Sequence, residues 1–173
     1  MQTPSLPSRI DPWRLAAEGG RLEGELALAA LPRLVAELHR AEGVVHVALV
    51  AGIDPRGIRF IRGVVRTGVE LVCQRCLGSL PFALDVTVSL GLVRSEAEAD
   101  RLPEDYEPLL VPEGVIRVAE LVEDELLLAL PQIPRHGDVR DCEAHGYRAP
   151  DRVEQDHPLA TLASLLRDSP RSH

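Results

Sequence analysis

Two runs that alternate apolar and polar residues, Ile61 to Cys73 and Leu80 to Leu92, are separated by only six residues. A period of two puts Ile61, Val65, Thr67, Val69, Leu71 and Cys73 on one side of a strand, with Arg62, Arg66 and Glu70 on the other. The second run repeats this, with Leu80, Phe82, Leu84, Val86, Val88, Leu90 and Leu92 set against Asp85, Thr87 and Ser89. A parallel pair would need a crossover of a dozen or more residues, so the two strands form an antiparallel hairpin with one buried face. The phase breaks at the start of the first run, because Ile58 and Phe60 are even-numbered. A β-bulge near Phe60–Ile61 is the expected repair.

The remaining segments arrange themselves around this hairpin. "RLEGELAL" and "VVHVALVAGI" alternate as strands, and "DPRG" (Asp54–Gly57) has turn chemistry. "LPRLVAELHR" has helical spacing with Pro32 in its first turn and Gly43 beyond its end. In "SEAEADRL", Ser95 and Glu98 form a capping-box pattern. "PEDYEPLLVPEG" reads as extended and turn-rich. "RVAELVEDELLLALP" is the strongest helix, stopped by Pro131. The expected fold is α+β: an antiparallel sheet with a long central hairpin, helices segregated around it, and a polar C-terminal tail ending in a short helix, "HPLATLASLLRD". The organisation expected is a lead-in over 1–20 with a helical turn at Pro12–Ala17, a core domain over 21–134 and an extension over 135–173.

Charge is unevenly placed. The chain carries a net −8, and all nineteen of its basic residues are arginine. Residues 56–75 hold five arginines against Glu70, a local +4; residues 95–131 hold eleven acids against two arginines, a local −9. The first region suits phosphate and the second a basic protein. Arg59, Arg62, Arg66 and Arg75 are the candidate RNA contacts; the competing reading is a solvated strand face with Glu70 interleaved. With five aromatic residues in all, stacking platforms are few, so contact through backbone phosphates is expected rather than base reading. Glu120, Glu123 and Asp124 form a ridge on the long helix, either a solvated face or a surface for a basic partner. Glu125 falls among Val118, Val122, Leu128 and Ala129, so a buried structural carboxylate is expected there, paired with an arginine, Arg75 being one candidate, or with a backbone donor. His39 and His46 read as surface histidines.

The hairpin loop contains Cys73-Gln74-Arg75-Cys76. Two cysteines on a tight turn aim both sulfurs at one point, as tetrahedral zinc requires, and Cys142 with His136 or His145 would complete a Cys₃His shell. A metal-free turn with reduced thiols is the other reading. A redox pair would sit at a helix N-terminus, whereas here a strand follows. Three cysteines do not make a disulfide framework, no apolar run reaches the ~20 residues needed to span a bilayer, and no secretory leader is visible; a cytoplasmic protein without membrane contact is expected. No nucleophile triad, phosphate loop or acid–base constellation stands out, so an enzyme is not expected.

The order of the blocks "DPWRLAAEGG", "CQRC", "SEAEADRLPEDYEPLLV", "VEDELLLALPQIPRH", "DCEAHG" and "HPLATLASLL" resembles the bacterial YceD family of large ribosomal RNA subunit accumulation proteins, which has relatives in plant organelles. The resemblance runs from about Arg9 to Arg167. It implies a non-enzymatic factor in large-subunit biogenesis that supports synthesis, processing or stability of 23S rRNA, meeting rRNA or a large-subunit precursor directly or through a basic ribosomal or assembly protein. A direct RNA binder using the hairpin, and an enzyme acting on rRNA, are the rival readings. Some family members carry a second cysteine pair in the C-terminal block where this chain has only Cys142.

Overall fold

The computed structural model describes residues 6–112 and 114–148. The helix expected over 157–168 lies outside them. The elements are β1 (Arg9–Ile10), α1 (Pro12–Ala17), β2 (Arg21–Ala27), a 3-10 turn (Leu28–Ala30), α2 (Pro32–Glu37), β3 (Val44–Ile53), β4 (Arg59–Val72), β5 (Ser79–Val93), α3 (Glu96–Ala99), β6 (Glu107–Leu110), β7 (Ile116–Arg117), α4 (Val118–Leu128) and α5 (Val139–Glu143). The fold is α+β.

Five strands form one sheet in the order β2-β3-β4-β5-β6, with β1 and β7 paired separately. All neighbours in the large sheet are antiparallel except β5 and β6, which run parallel. The central pair β4–β5 is in unbroken register from Phe60↔Gly91 to Val72↔Ser79. The bulge expected at Phe60–Ile61 is therefore absent, and the β3 side is equally continuous through Ile61↔Ala51 and Phe60↔Gly52. Phe60 belongs with the even, outward positions. It is accommodated there because its cross-strand neighbours are glycines, and a Cβ on Gly52 would lie 3.0 Å from the ring.

The inward positions follow the alternation. Val45, Val47, Leu49, Ile61, Val65, Val69, Leu71, Leu84, Val88 and Leu90 are all buried, together with Leu28, Leu31 and Leu34 before and within α2. Helix α4 adds Val118, Leu121, Val122 and Leu126 to the same core. Each such side chain removed from water contributes about 1.5–3 kcal/mol. Leu6, Ile10 and Ala16 are buried in that core as well. Helix α1 begins at Asp11, whose side chain accepts from the N–H groups of Trp13 and Arg14 at 3.0 and 3.1 Å. Over the outward face near Phe60 lie Leu102, Asp105 and Tyr106, with the Tyr106 ring 6.4 Å from that of Phe60.

Candidate metal centre and the charged surfaces

The loop between β4 and β5 turns tightly. The N–H of Cys73 donates to the carbonyl of Gly78 at 2.9 Å, and that of Leu77 to the carbonyl of Cys73 at 2.8 Å. Leu77 takes the left-handed conformation at φ 58°, a position that costs a branched side chain about 1–2 kcal/mol. The Arg75 N–H points at the Cys73 sulfur at 3.5 Å. The segment after α4 is pinned to this loop by the N–H of Gln74, which donates to the Pro134 carbonyl at 2.8 Å. That bond brings His136 alongside, and α5, capped by Asp138 on the N–H of Arg140, delivers Cys142.

The donor atoms of Cys73, Cys76, His136 and Cys142 all lie within 4.8 Å of one another. Cys73 and Cys142 are fully buried and the three cysteines are free thiols. Metal–sulfur and metal–nitrogen bonds of about 2.3 and 2.0–2.1 Å in a tetrahedron imply edges of roughly 3.8 Å between sulfurs and roughly 3.6 Å from sulfur to nitrogen. The Cys73–Cys142 sulfur separation is 3.9 Å, and Nδ1 of His136 stands 3.6 Å from the Cys76 sulfur and 3.5 Å from that of Cys142. These four residues could hold a metal ion. His136 Nε2 donates to the Ser79 carbonyl at 3.1 Å, which leaves the Nδ1 lone pair facing the sulfurs. His145, the other candidate, stacks on His136 at 5.4 Å and covers Gly78, where a Cβ would come within 2.4 Å of its ring.

The thiols are electrostatically unequal. Burial pushes Cys73 up, but the N–H groups of Cys76, His136 and Arg75 outweigh it and bring the thiol down to about 5. Cys142 is pushed up to about 11 by burial and by its sulfur neighbours Cys76 and Cys73. Two adjacent thiolates repel, so a cation that binds between them favours release of the second proton to solvent.

The four hairpin arginines do not make one strip. Arg62 Nη2 reaches Asp105 at 3.0 Å while its guanidinium lies 4.2 Å from the centre of the Tyr106 ring. Arg66 pairs with Asp85 at 2.9 Å. Arg75 points at the Cys142 sulfur at 3.8 Å. Arg59 lies next to Trp13, with its guanidinium 5.7 Å from the ring centre. At the β3–β4 turn, burial raises the Asp54 carboxyl, but the Arg56 side chain, the Ile58 N–H, the Tyr106 hydroxyl and the Arg56 N–H together hold it at about 2. Arg56 also bridges to Asp105 at 2.8 Å. This Asp54–Arg56–Asp105–Tyr106 lock had no sequence signal beyond the turn residues.

On α4 the buried carboxylate is Glu123, at 3 % exposure, and not Glu125. Glu123 Oε1 accepts from the N–H groups of Arg33 and Leu34 at 2.7 and 3.1 Å, and Oε2 from Arg33 Nε at 2.9 Å. The residue before α2 is Leu31, which has no side-chain acceptor, so Glu123 supplies the cap from another helix. That role takes it away from any partner protein. Asp124 pairs with Arg33 at 2.7 Å and Glu120 lies 3.6 Å from Arg117; both remain at the surface. Glu125 is half-buried in a groove with Glu107, Leu109 and Leu121, without a hydrogen bond to Arg75 or any other described residue. Burial raises its carboxyl first, then the charges of Glu107 and Asp124. Leu128, expected on the same buried face, is 77 % exposed at the open rim of that groove.

Fold and site define a small α+β protein whose hairpin tip is gathered to the segment after α4 by a thiol–imidazole donor set. A family model described as "Large ribosomal RNA subunit accumulation protein YceD" matches residues 61–166. A Large ribosomal RNA subunit accumulation protein YceD from Haemophilus influenzae is 33% identical over 172 residues, covering 95% of this chain and 98% of the relative. The chain belongs to the YceD family. No solved structure matches it. Among the described residues, no helix is long and apolar enough to cross a membrane.

Proposed function

We propose that this chain is a non-enzymatic cytoplasmic factor supporting accumulation of 23S rRNA in the large ribosomal subunit. It holds rRNA or a large-subunit precursor through arginine contacts to backbone phosphates, and its acidic helical side, with Glu120 and Asp124 exposed, is the surface for a basic ribosomal or assembly protein. Family membership supports the link to large-subunit RNA. In this reading Cys73, Cys76, His136 and Cys142 hold one structural zinc. The observation that carries the scaffold role is the donor set itself. Four protein donors within 4.8 Å of one another, three of their separations close to tetrahedral edges, would fill the shell and leave no position for an activated water, which is how structural zinc differs from catalytic zinc. The metal joins two distant segments of chain and performs no reaction.

The test is recovery of tagged protein from growing cells, with and without RNase, together with the ratio of 23S to 16S rRNA in cells lacking it. A fall in that ratio, restored by the intact gene, with large-subunit rRNA or one basic protein co-purifying, is the expected outcome. An unchanged ratio, or rRNA cleavage by the purified protein, would overturn the reading.

A further inference from the structure

At the end of the hairpin away from the cysteines, roughly 40 Å along β4 at ~3.3 Å per residue, lies a cavity of about 340 Å³. Its lining includes Trp13, Arg59, Arg94, Glu98, Arg101 and Pro103. The Trp13 ring is fixed, because its Nε1 donates to the Val111 carbonyl at 3.0 Å. The Arg94 guanidinium sits 4.3 Å from the ring centre and that of Arg59 5.7 Å from it, so the indole positions two cations at one rim.

These arginines differ from those of the hairpin face. Arg56, Arg62 and Arg66 are each paired with an aspartate, whereas Arg59, Arg94 and Arg101 form no ion pair with a carboxylate among the described residues. The acid in the cavity is already engaged: Glu98 Oε2 accepts the Arg94 N–H at 2.7 Å. Among the described lining residues, three guanidiniums against one carboxylate leave a local +2. The charge converges from three places in the sequence, the start of β4, the end of β5 and the residues after α3, which is why counting charge along the chain places Arg101 in the acidic region and Arg94 in neither.

We propose that this cavity is a phosphodiester-binding site that grips a single-stranded segment of RNA, with successive phosphates on Arg59, Arg94 and Arg101 beside the Trp13 ring. The inference rests on the rRNA reading above and places the contact here rather than on the hairpin strip. A concave, arginine-rimmed cavity with an aromatic wall suits a flexible single strand, whereas a duplex presents a convex, regular backbone.

Trp13 is the single tryptophan of the chain, so its fluorescence reports on this cavity alone. The full-length protein is titrated with a twelve-nucleotide oligouridylate at several salt concentrations, with binding also followed by the anisotropy of end-labelled oligonucleotide. Saturable binding that changes Trp13 emission is expected. The Arg59→Gln, Arg94→Gln, Arg101→Gln triple variant should bind at least tenfold more weakly at 100 mM salt. Its slope of log K against log salt should be shallower by about 2, at ~0.7 per phosphate contact. The matching Arg→Lys triple should bind, and Arg66→Gln, whose side chain pairs with Asp85 outside the cavity, should bind as the wild type does. If the Gln triple melts early, Arg101→Glu, on an exposed side chain, replaces it and should weaken binding at least threefold. Wild-type binding undiminished in these variants sinks the site and leaves the rRNA reading standing. Absence of any wild-type binding removes both the site and direct rRNA contact. Equal saturation by inorganic phosphate or by polyglutamate would show a general anion site, and the RNA assignment would fall.

Discussion

Glu123 on α4 holds both the backbone N–H and the guanidinium of Arg33 on α2, at 2.7 and 2.9 Å. The contact joins two helices and caps one of them from a residue ninety positions away in sequence. Replacing Glu123 with Ala leaves the N–H groups of Arg33 and Leu34 without an acceptor, and a loss of about 2–4 kcal/mol is expected in urea unfolding. Glu123→Gln keeps one acceptor oxygen and should cost less. Burial raises the carboxyl, but the Leu34 N–H, the Arg33 side chain and the Arg33 N–H outweigh it, so the folded-state pKa lies below the ordinary 4.5. The contribution is thus full above pH 4.5 and is lost as pH falls through the lowered folded value. Wild type and Glu123→Ala should converge in stability in acid.

Glu125 has the opposite sign. Burial and the neighbouring Glu107 and Asp124 charges raise its carboxyl above 4.5, so the folded chain binds its proton more tightly than the unfolded chain does. Stability attributable to Glu125 therefore falls as pH rises through the folded value. Glu125→Gln should raise Tm at pH 7.5 and lose that advantage near ~pH 4. A Tm at pH 7.5 equal to or below the wild type would mean that the carboxylate has a favourable partner.

The contrast between these two glutamates marks where the sequence was legible. Helical periodicity puts Glu125 at an angle that faces the core, but angle does not say what lies opposite it. Glu125 lands in an open groove beside Glu107 and Leu109 of β6, and Glu123 meets an uncapped turn of α2 that no local pattern announces. The same limit produced the expected bulge. A phase break counted along β4 is resolved by the glycines opposite Phe60 on β3 and β5, which only the register reveals. The hairpin, the Ser95 cap and the gathering of Cys73, Cys76 and Cys142 with a histidine were legible because each follows from local chemistry or from the few donors available. The parallel pairing of β6 and the Trp13 cavity were not, since both depend on segments brought together only by the fold.

The purified protein should contain one zinc per chain, measured by elemental analysis, and Cys73→Ser or Cys142→Ser should abolish it. Removing the metal with a chelator is expected to release residues 131–147 while leaving the sheet folded, because Cys73 and Cys142 are only two members of the buried core and Ile61, Val65, Val88 and Leu126 remain packed in it. Hydrogen exchange should therefore accelerate at the Gln74 amide, which is bonded to Pro134, and stay slow in the middle of β4 and β5. Retention should weaken as pH falls, since protons compete for three sulfurs and Nδ1. Global unfolding on chelation would show that the metal supports the sheet; a fully reduced, metal-free protein with unchanged exchange would show that the thiols alone clamp the loop.

Arg62 tests whether the hairpin face is structural. Its Nε donates to Ser89 Oγ at 3.2 Å, its Nη2 donates to Asp105, and its guanidinium covers Tyr106, whose hydroxyl donates to Asp54 at 3.0 Å. The contacts to Asp105 and Tyr106 hold residues 102–106 on the outward side of the sheet, and Ser89 Oγ adds to them by donating to the Asp105 carbonyl at 2.7 Å. Arg62→Ala should loosen that segment, seen as faster hydrogen exchange and protease cleavage near Pro103–Tyr106. Asp105→Asn should reproduce the loosening, because it removes the same ion pair from the other side. If Arg62→Ala instead lowers RNA affinity while residues 102–106 stay protected, the hairpin face contacts phosphate despite its internal pairing. That result would follow only if RNA displaces Asp105, which the charge-neutral Asp105→Asn variant would reveal as tighter RNA binding.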